Sequence, residues 1–234
     1  MRRLLLFSNS SDHGRGYLDH GIDAIRELLG GRSRILFVPF ALADREAYAE
    51  RFRGRLGEAG FEVEALTADG RGRRQVENAD AVFVGGGNTF RLLKTLQDAQ
   101  LLAPLGARAR AGLPYLGASA GINLACPTVR TTNDMPIVEP HGFDALGLVP
   151  FQINPHYLDP DPGSIHMGET RELRIVEFLE ENDCAVVGLR EGAWIRVEGE
   201  RAALGGRTGV RIFRRGMEPE ERPPGASLDD LMGG

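Results

Sequence analysis

The stretch that decides the fold is residues 113–126, LPYLGASAGINLAC. Its apolar first half predicts a buried strand, and a Gly-x-Ser-x-Gly turn then leads at once into a segment that is compatible with a helix. In this context a serine is held on a sharp turn with its hydroxyl exposed, and only glycine or alanine fits beside it. We therefore interpret Ser119 as a nucleophile. The alternative is a turn whose small residues serve only close packing.

Apolar strands and helical segments alternate along the first half of the chain. Strands are predicted at 4–7, 35–40, 61–66 and 81–84, and helices at 17–29, 45–59 and 89–102. Continuous apolar strands separated by helices indicate an α/β fold, with a mostly parallel sheet and helices on both faces. In such sheets ligands bind beyond the carboxyl ends of the strands. The turn at 85–88 and the turn at Ser119 both fall at that edge.

The second half of the chain is less regular. An irregular stretch at 127–149 precedes a strand at 149–153 and a helix at 170–181. Further strands are predicted at 184–189, 193–197 and 210–213, the last two antiparallel. We expect a single α/β domain over residues 1–215. The tail over residues 216–234 is rich in Pro, Gly and acid and is expected to be partly disordered.

The composition is that of an ordinary globular protein of 234 residues, 42% hydrophobic and 26% charged. The net charge of −5 argues against a nucleic-acid partner. No apolar run has the length needed to span a membrane, and the run after Met1 is too short for a signal peptide. Two cysteines cannot form a disulfide framework, so we expect a reducing cytoplasm. Monomer and homodimer both stay open.

A serine nucleophile needs a general base, and the base needs a group that orients it. Among five histidines, His156 alone directly follows an apolar strand, so it should lie at the same sheet edge as Ser119. Two carboxylates could orient it. Asp134 gives the chain order Ser, Asp, His of α/β-hydrolases. Glu191 follows the strand at 184–189, and a strand end holds a carboxylate more rigidly than a loop does.

The turn at residues 85–88, GGGN, lacks the spacing of a dinucleotide fingerprint and the Gly-Lys-Ser/Thr ending of a phosphate loop. Beside a nucleophile, its plainest use is a backbone amide of Gly86 or Gly87 aimed at a developing oxyanion. Ala120 would supply the second amide. The alternative is a tight strand–helix turn with no catalytic use.

Five segments together resemble a known family. They are GGGNTF at 85–90, GASAGINLAC at 117–126, RTTNDMP at 130–136, QINPH at 152–156 and GETR at 168–171. The family that they resemble is peptidase E, the cytoplasmic α-aspartyl dipeptidases of the serine type. The resemblance runs from Leu4 to about Gly206, and the segments occur in the same order.

The resemblance implies a fold like that of class I glutamine amidotransferases. It also implies hydrolysis of dipeptides with an N-terminal aspartate, with no metal and no cofactor. By the same resemblance Ser119 is the nucleophile and His156 the base. Both Asp134 and Glu191 match positions of the third catalytic role, so the choice between them stays open.

Selecting an N-terminal aspartate requires a cation near the pocket, preferably a guanidinium that can grip a carboxylate. Arg171 is the candidate, and Asn88 is a second candidate for contact with the substrate. Two other functions also stay open. One is a cyanophycinase-like hydrolase of β-aspartyl linkages in the same fold, and the other is a non-enzymatic module that binds a small anion.

Overall fold

A computed structural model describes residues 1–12, 14–161, 163 and 168–233, and within them it forms eleven strands and seven α-helices. The strands are β1 (Arg3–Phe7), β2 (Arg34–Val38), β3 (Glu62–Ala65), β4 (Val82–Val84), β5 (Tyr115–Ala118), β6 (Gln152–Pro155), β7 (Val186–Leu189), β8 (Ala193–Glu198), β9 (Arg201–Gly206), β10 (Val210–Phe213) and β11 (Glu220–Arg222). The helices are α1 (Ile22–Leu29), α2 (Arg45–Glu58), α3 (Gly72–Asn78), α4 (Thr89–Asp98), α5 (Leu102–Arg110), α6 (Ala120–Ala125) and α7 (Arg171–Glu181).

The strands form two sheets. The larger sheet has the order β3-β2-β4-β5-β1-β8-β9. Its first five strands are parallel to one another, β8 is antiparallel to β1, and β9 is antiparallel to β8. The smaller has the order β11-β10-β7-β6, with β6 and β7 parallel and β10 antiparallel to both its neighbours. The predicted α/β class and the late antiparallel strands are confirmed. The strands predicted at 193–197 and 210–213 fall in different sheets, however.

Helices cover both faces of the larger sheet because its inner strands are apolar on both faces. Along β1, Leu4 and Leu6 face one hydrophobic core, whereas Leu5 and Phe7 face another. Helices α4, α5 and α6 pack into the first core, and α1 and α2 pack into the second. Among the described residues, no helix combines the length and the apolar composition that a membrane crossing would require.

Two helical predictions differ from the structure in local detail. The helix predicted at 89–102 is shorter in the structure, because α4 ends at Asp98 and Gln100 adopts a left-handed conformation with φ 55°. Helix α5, which begins at Leu102, was not predicted. The segment 17–29 begins with a 3-10 turn over Asp19–Gly21 that precedes α1. Helix α3 was not predicted, since its sequence GRRQVEN offers only Val76 as a buried apolar side chain and therefore shows no periodicity.

The tail differs from the expectation of partial disorder. Strand β11 pairs with β10, and the 3-10 helix Asp229–Leu231 follows it. Leu228 is fully buried in the same core as β1. The Arg222 guanidinium binds Asp230 Oδ2 at 2.8 Å and Glu220 Oε1 at 2.7 Å. The composition predicted disorder because the tail is rich in acids and prolines. In the structure, arginines pair with acids of the tail, and Leu228 packs into the hydrophobic core.

Leu228→Ala is expected to lower the free energy of unfolding by about 2–5 kcal/mol, because it leaves a cavity in the core. Met217 belongs to the same tail but is 63% exposed, so Met217→Ala should change this free energy by less than about 0.5 kcal/mol. Urea unfolding of the two variants and the parent protein measures both effects. Equal midpoints for all three proteins would show that the tail does not pack on the domain.

Candidate active site

Ser119 lies on a narrow turn between β5 and α6. Its backbone has φ 51° and ψ −109°, a conformation that is strained for a residue with a side chain. A Cβ atom on Gly117 would lie 2.6 Å from Gly121 O, and one on Gly121 would lie 2.3 Å from Val84 O, so both positions require glycine. The Ser119 backbone N donates to Phe7 O at 3.1 Å. The turn therefore fixes the backbone while the side chain stays partly exposed.

His156 directly follows β6 and also adopts a left-handed conformation, with φ 52°. Its Nε2 lies 2.9 Å from Ser119 Oγ, and its Nδ1 lies 2.7 Å from Glu191 Oε1. Because a carboxylate can only accept, the proton belongs on Nδ1, and Nε2 then accepts from the serine hydroxyl. Glu191 follows β7, the parallel neighbour of β6. The three side chains thus form one hydrogen-bonded line.

Asp134 lines the same cavity but forms its hydrogen bonds elsewhere. Its Oδ2 accepts from the Thr89 backbone N at 2.8 Å and from the hydroxyls of Thr89 at 2.6 Å and Thr132 at 3.1 Å. Thr89 is the first residue of α4, where a carboxylate satisfies a free N–H and faces the positive end of the helix dipole. The structure therefore brings Glu191, rather than Asp134, into contact with His156.

A cavity of about 550 Å³ opens beside the Ser119 side chain, and Gly86 and Gly87 are among its lining residues. The Gly86 backbone approaches so closely that a Cβ there would lie 3.1 Å from Ser119 Cβ. Ala120 is the first residue of α6, so its backbone N–H has no acceptor within the helix. All three predicted oxyanion residues therefore lie next to Ser119 or in its cavity. Among the described residues, no group of His, Cys, Asp or Glu is arranged to hold a metal ion.

Two guanidinium groups give the cavity a positive lining. Arg171 begins α7 and is half-buried, and this burial lowers the pKa of its guanidinium. Arg51 of α2 stacks over the rings of Tyr17 at 4.8 Å and Tyr48 at 5.1 Å. Neither arginine forms an ion pair in the part of the chain that the structure describes. Asp134 is the one carboxylate among the described residues that line the cavity, so the two guanidinium groups favour an anionic ligand.

Asn88 uses its side chain to hold the turn together. Its Oδ1 caps α4 by accepting from the Arg91 backbone N at 3.0 Å, and its Nδ2 donates to Met135 O at 2.9 Å. Both ends of the amide are occupied, and Asn88 is not among the residues that line the cavity.

Arg51 does line the cavity, although the sequence did not predict it as a site residue. Helix α2, REAYAERFRGRLGE, carries four arginines, and no local signal distinguishes the one that faces the cavity.

An α/β fold that aligns a serine hydroxyl, an imidazole and a carboxylate at the carboxyl ends of its strands defines the class of serine hydrolases. The model of peptidase family S51 matches residues 4–205 of the chain. The chain belongs to this family and is a serine-type peptidase.

The relatives cover nearly the whole chain. It is 58% identical over 229 residues to "Peptidase E" of Streptomyces coelicolor, which covers 98% of this chain and 94% of the relative. It is 45% identical over 234 residues to a Drosophila melanogaster protein named "Probable alpha-aspartyl dipeptidase", covering 99% and 98%. A peptidase structure from an acI-B1 Actinobacterium aligns with a TM-score of 0.74 over 97% of this chain and 96% of that chain, at 18% identity, and so supports the fold alone. The resemblance to peptidase E is confirmed.

Proposed function

We propose that the protein is a dipeptidase that hydrolyses dipeptides with an N-terminal aspartate. The observation that carries this proposal is the hydrogen-bonded line from Glu191 through His156 to Ser119, beside a cavity with a positive lining. The substrate class is supported by relatives named peptidase E and alpha-aspartyl dipeptidase, at 58% and 45% identity. A cytoplasmic location is proposed with it, supported by the unpaired thiols of Cys126 and Cys184.

The first half of the proposed reaction forms an acyl-enzyme. Ser119 Oγ attacks the aspartyl carbonyl carbon while His156 Nε2 takes the hydroxyl proton. Glu191 accepts a hydrogen bond from His156 Nδ1–H, and its negative charge stabilises the imidazolium that forms. The imidazolium then gives its proton to the leaving amine as the C–N bond breaks, which leaves the aspartyl group as an ester on the serine.

The second half releases aspartate. Water gives a proton to His156 and attacks the ester carbon, and the imidazolium returns that proton to Ser119 Oγ as the C–O bond breaks. In both halves the carbonyl oxygen becomes an oxyanion. The backbone amides of Gly86 or Gly87 and of Ala120 are the groups proposed to bind it, since preorganised N–H groups stabilise charge that develops in the transition state.

Arg171 is proposed to bind the side-chain carboxylate of the substrate. It lines the cavity together with Ser119, it is half-buried, and within the described residues it has no ion-pair partner of its own. A planar guanidinium can accept a carboxylate at two points, and partial burial strengthens that contact. The unpaired charge explains why an anionic residue would be preferred beside the scissile bond.

Ser119→Ala is expected to abolish hydrolysis of Asp-Leu without unfolding the protein, because it removes only a partly exposed hydroxyl. Leucine release measured by chromatography follows the reaction, and thermal unfolding checks the fold. The parent protein should also be labelled at Ser119 by a fluorophosphonate probe, and the variant should not. Turnover retained in the variant would exclude serine chemistry, and preference for β-aspartyl-Leu over Asp-Leu would contradict the proposed substrate.

Glu191→Gln is expected to lower kcat by about two to four orders of magnitude, because the amide keeps the shape of the side chain but removes the charge that stabilises the imidazolium. Asp134→Asn is the matched variant. It should mainly lower the melting temperature, since Asp134 binds the first turn of α4. Steady-state kinetics with Asp-Leu gives kcat for both variants. A larger loss of kcat in Asp134→Asn than in Glu191→Gln would assign the third catalytic role to Asp134.

Arg171→Ala is expected to lower kcat/KM for Asp-Leu by about 10- to 100-fold, the effect of losing one hydrogen bond between charged groups. The preference for Asp-Leu over Asn-Leu should fall with it, because the lost charge distinguishes the two substrates. Arg174→Ala is the control on the same helix, where an exposed arginine pairs with Glu169 at 3.1 Å. An unchanged preference in Arg171→Ala would place the aspartate-binding group elsewhere.

A further inference from the structure

The Ser8 hydroxyl joins two strand ends of the smaller sheet. Its Oγ accepts from the His156 backbone N at 2.9 Å and donates to Leu189 O, at the end of β7, at 2.8 Å. Ser8 itself directly follows β1 of the larger sheet and is fully buried. The hydroxyl therefore connects the two sheets at the point where the base emerges, out of reach of bulk water.

His156 needs such a restraint because of its backbone. A residue with a side chain reaches φ 52° only at a cost in free energy, so surrounding contacts must hold it there. Its imidazole is 37% exposed and the Glu191 carboxylate is 51% exposed. A pair as exposed as this contributes little to stability, so it cannot by itself hold the backbone of His156 in this conformation. The position of the imidazole therefore depends on the backbone that Ser8 binds as well as on Glu191.

The two residues that flank Ser8 hold the other parts of the site. Phe7 O accepts from the Ser119 backbone N at 3.1 Å. Asn9 Oδ1 accepts from the Gly192 backbone N at 2.9 Å, directly after Glu191, and Asn9 Nδ2 donates to the backbone of Ser11 at 2.8 Å. Three consecutive residues at the end of β1 therefore contact the segments of the nucleophile, the base and the carboxylate.

We propose that Ser8 is a positioning residue, which holds the His156 backbone so that Nε2 stays within hydrogen-bond distance of Ser119 Oγ. The proposal rests on the proposed function, because it takes His156 as the base. Small displacements of a base lower the rate of reaction much more than they lower substrate binding. Loss of the Ser8 hydroxyl should therefore appear in kcat and leave KM nearly unchanged.

The test is Ser8→Ala in the full chain, assayed with Asp-Leu. We expect kcat to fall by about 10- to 100-fold and KM to change by less than about threefold. The rate at which a fluorophosphonate labels Ser119, measured well below the melting temperature, should fall by the same factor as kcat. That labelling rate depends on the base and does not involve the peptide-binding contacts.

Thr131→Val is the matched control. Thr131 is also buried, and its hydroxyl donates to Ile153 O of β6 at 3.0 Å, so the variant removes a comparable bond from the same strand without touching His156. Its kcat and labelling rate should stay within about twofold of the parent protein, whatever its melting temperature. An equal fall of kcat in Thr131→Val would overturn the proposal, since general loss of stability would then explain both results.

Ser8→Cys serves if Ser8→Ala does not fold, because the thiol fills the buried site but accepts the His156 N–H only weakly. A kcat within about twofold of the parent in the folded variant would overturn the positioning role and leave the proposed function standing. If the parent protein neither hydrolyses Asp-Leu nor is labelled at Ser119, the proposed function and this inference are overturned together.

Discussion

Ser119 and His156, the proposed nucleophile and base, follow strands of different sheets, so the site depends on how those sheets are joined. Ser119 follows β5 of the larger sheet, whereas His156 follows β6 of the smaller one. A hydrogen bond of 2.9 Å between their side chains tolerates little relative movement of the two sheets. The end of β1 lies at this junction, where Phe7 contacts the backbone of Ser119 and Ser8 contacts the backbone of His156.

A shared hydrophobic core makes the junction stable. Ile153 and Val187 of the smaller sheet are buried in the same cluster as Leu4 and Leu6 of β1. Because this apolar surface can stay buried only while both sheets remain packed, separating them would expose it to water. The parallel strands on each side then end at one edge, and the side chains that follow them meet there. Close packing of the core thus fixes the relative positions of the side chains that form the site at the surface.

The backbones and the side chains of the site have different environments. Ser8 and Asn9 are buried and hold the backbone of the strand ends, whereas the His156 and Glu191 side chains are 37% and 51% exposed. The side chains of the site are thus accessible from solvent, while buried hydrogen bonds hold the strand ends beneath them. Within the described residues the Arg171 guanidinium has no ion-pair partner, so it adds a positive charge to the lining of the cavity.

The sequence by itself determined the local features: the strand, turn and helix around Ser119, the small residues that this turn requires, and the placement of His156 at a strand end. These depend only on neighbouring residues, since apolar runs and Cβ clashes act over short distances. Only the tertiary structure decided which carboxylate contacts His156, because that contact depends on the pairing of β6 with β7. It also decided that Arg51 faces the cavity and that Leu228 is buried. Such contacts join segments that are distant in the sequence, through packing and charge, so no short sequence pattern predicts them.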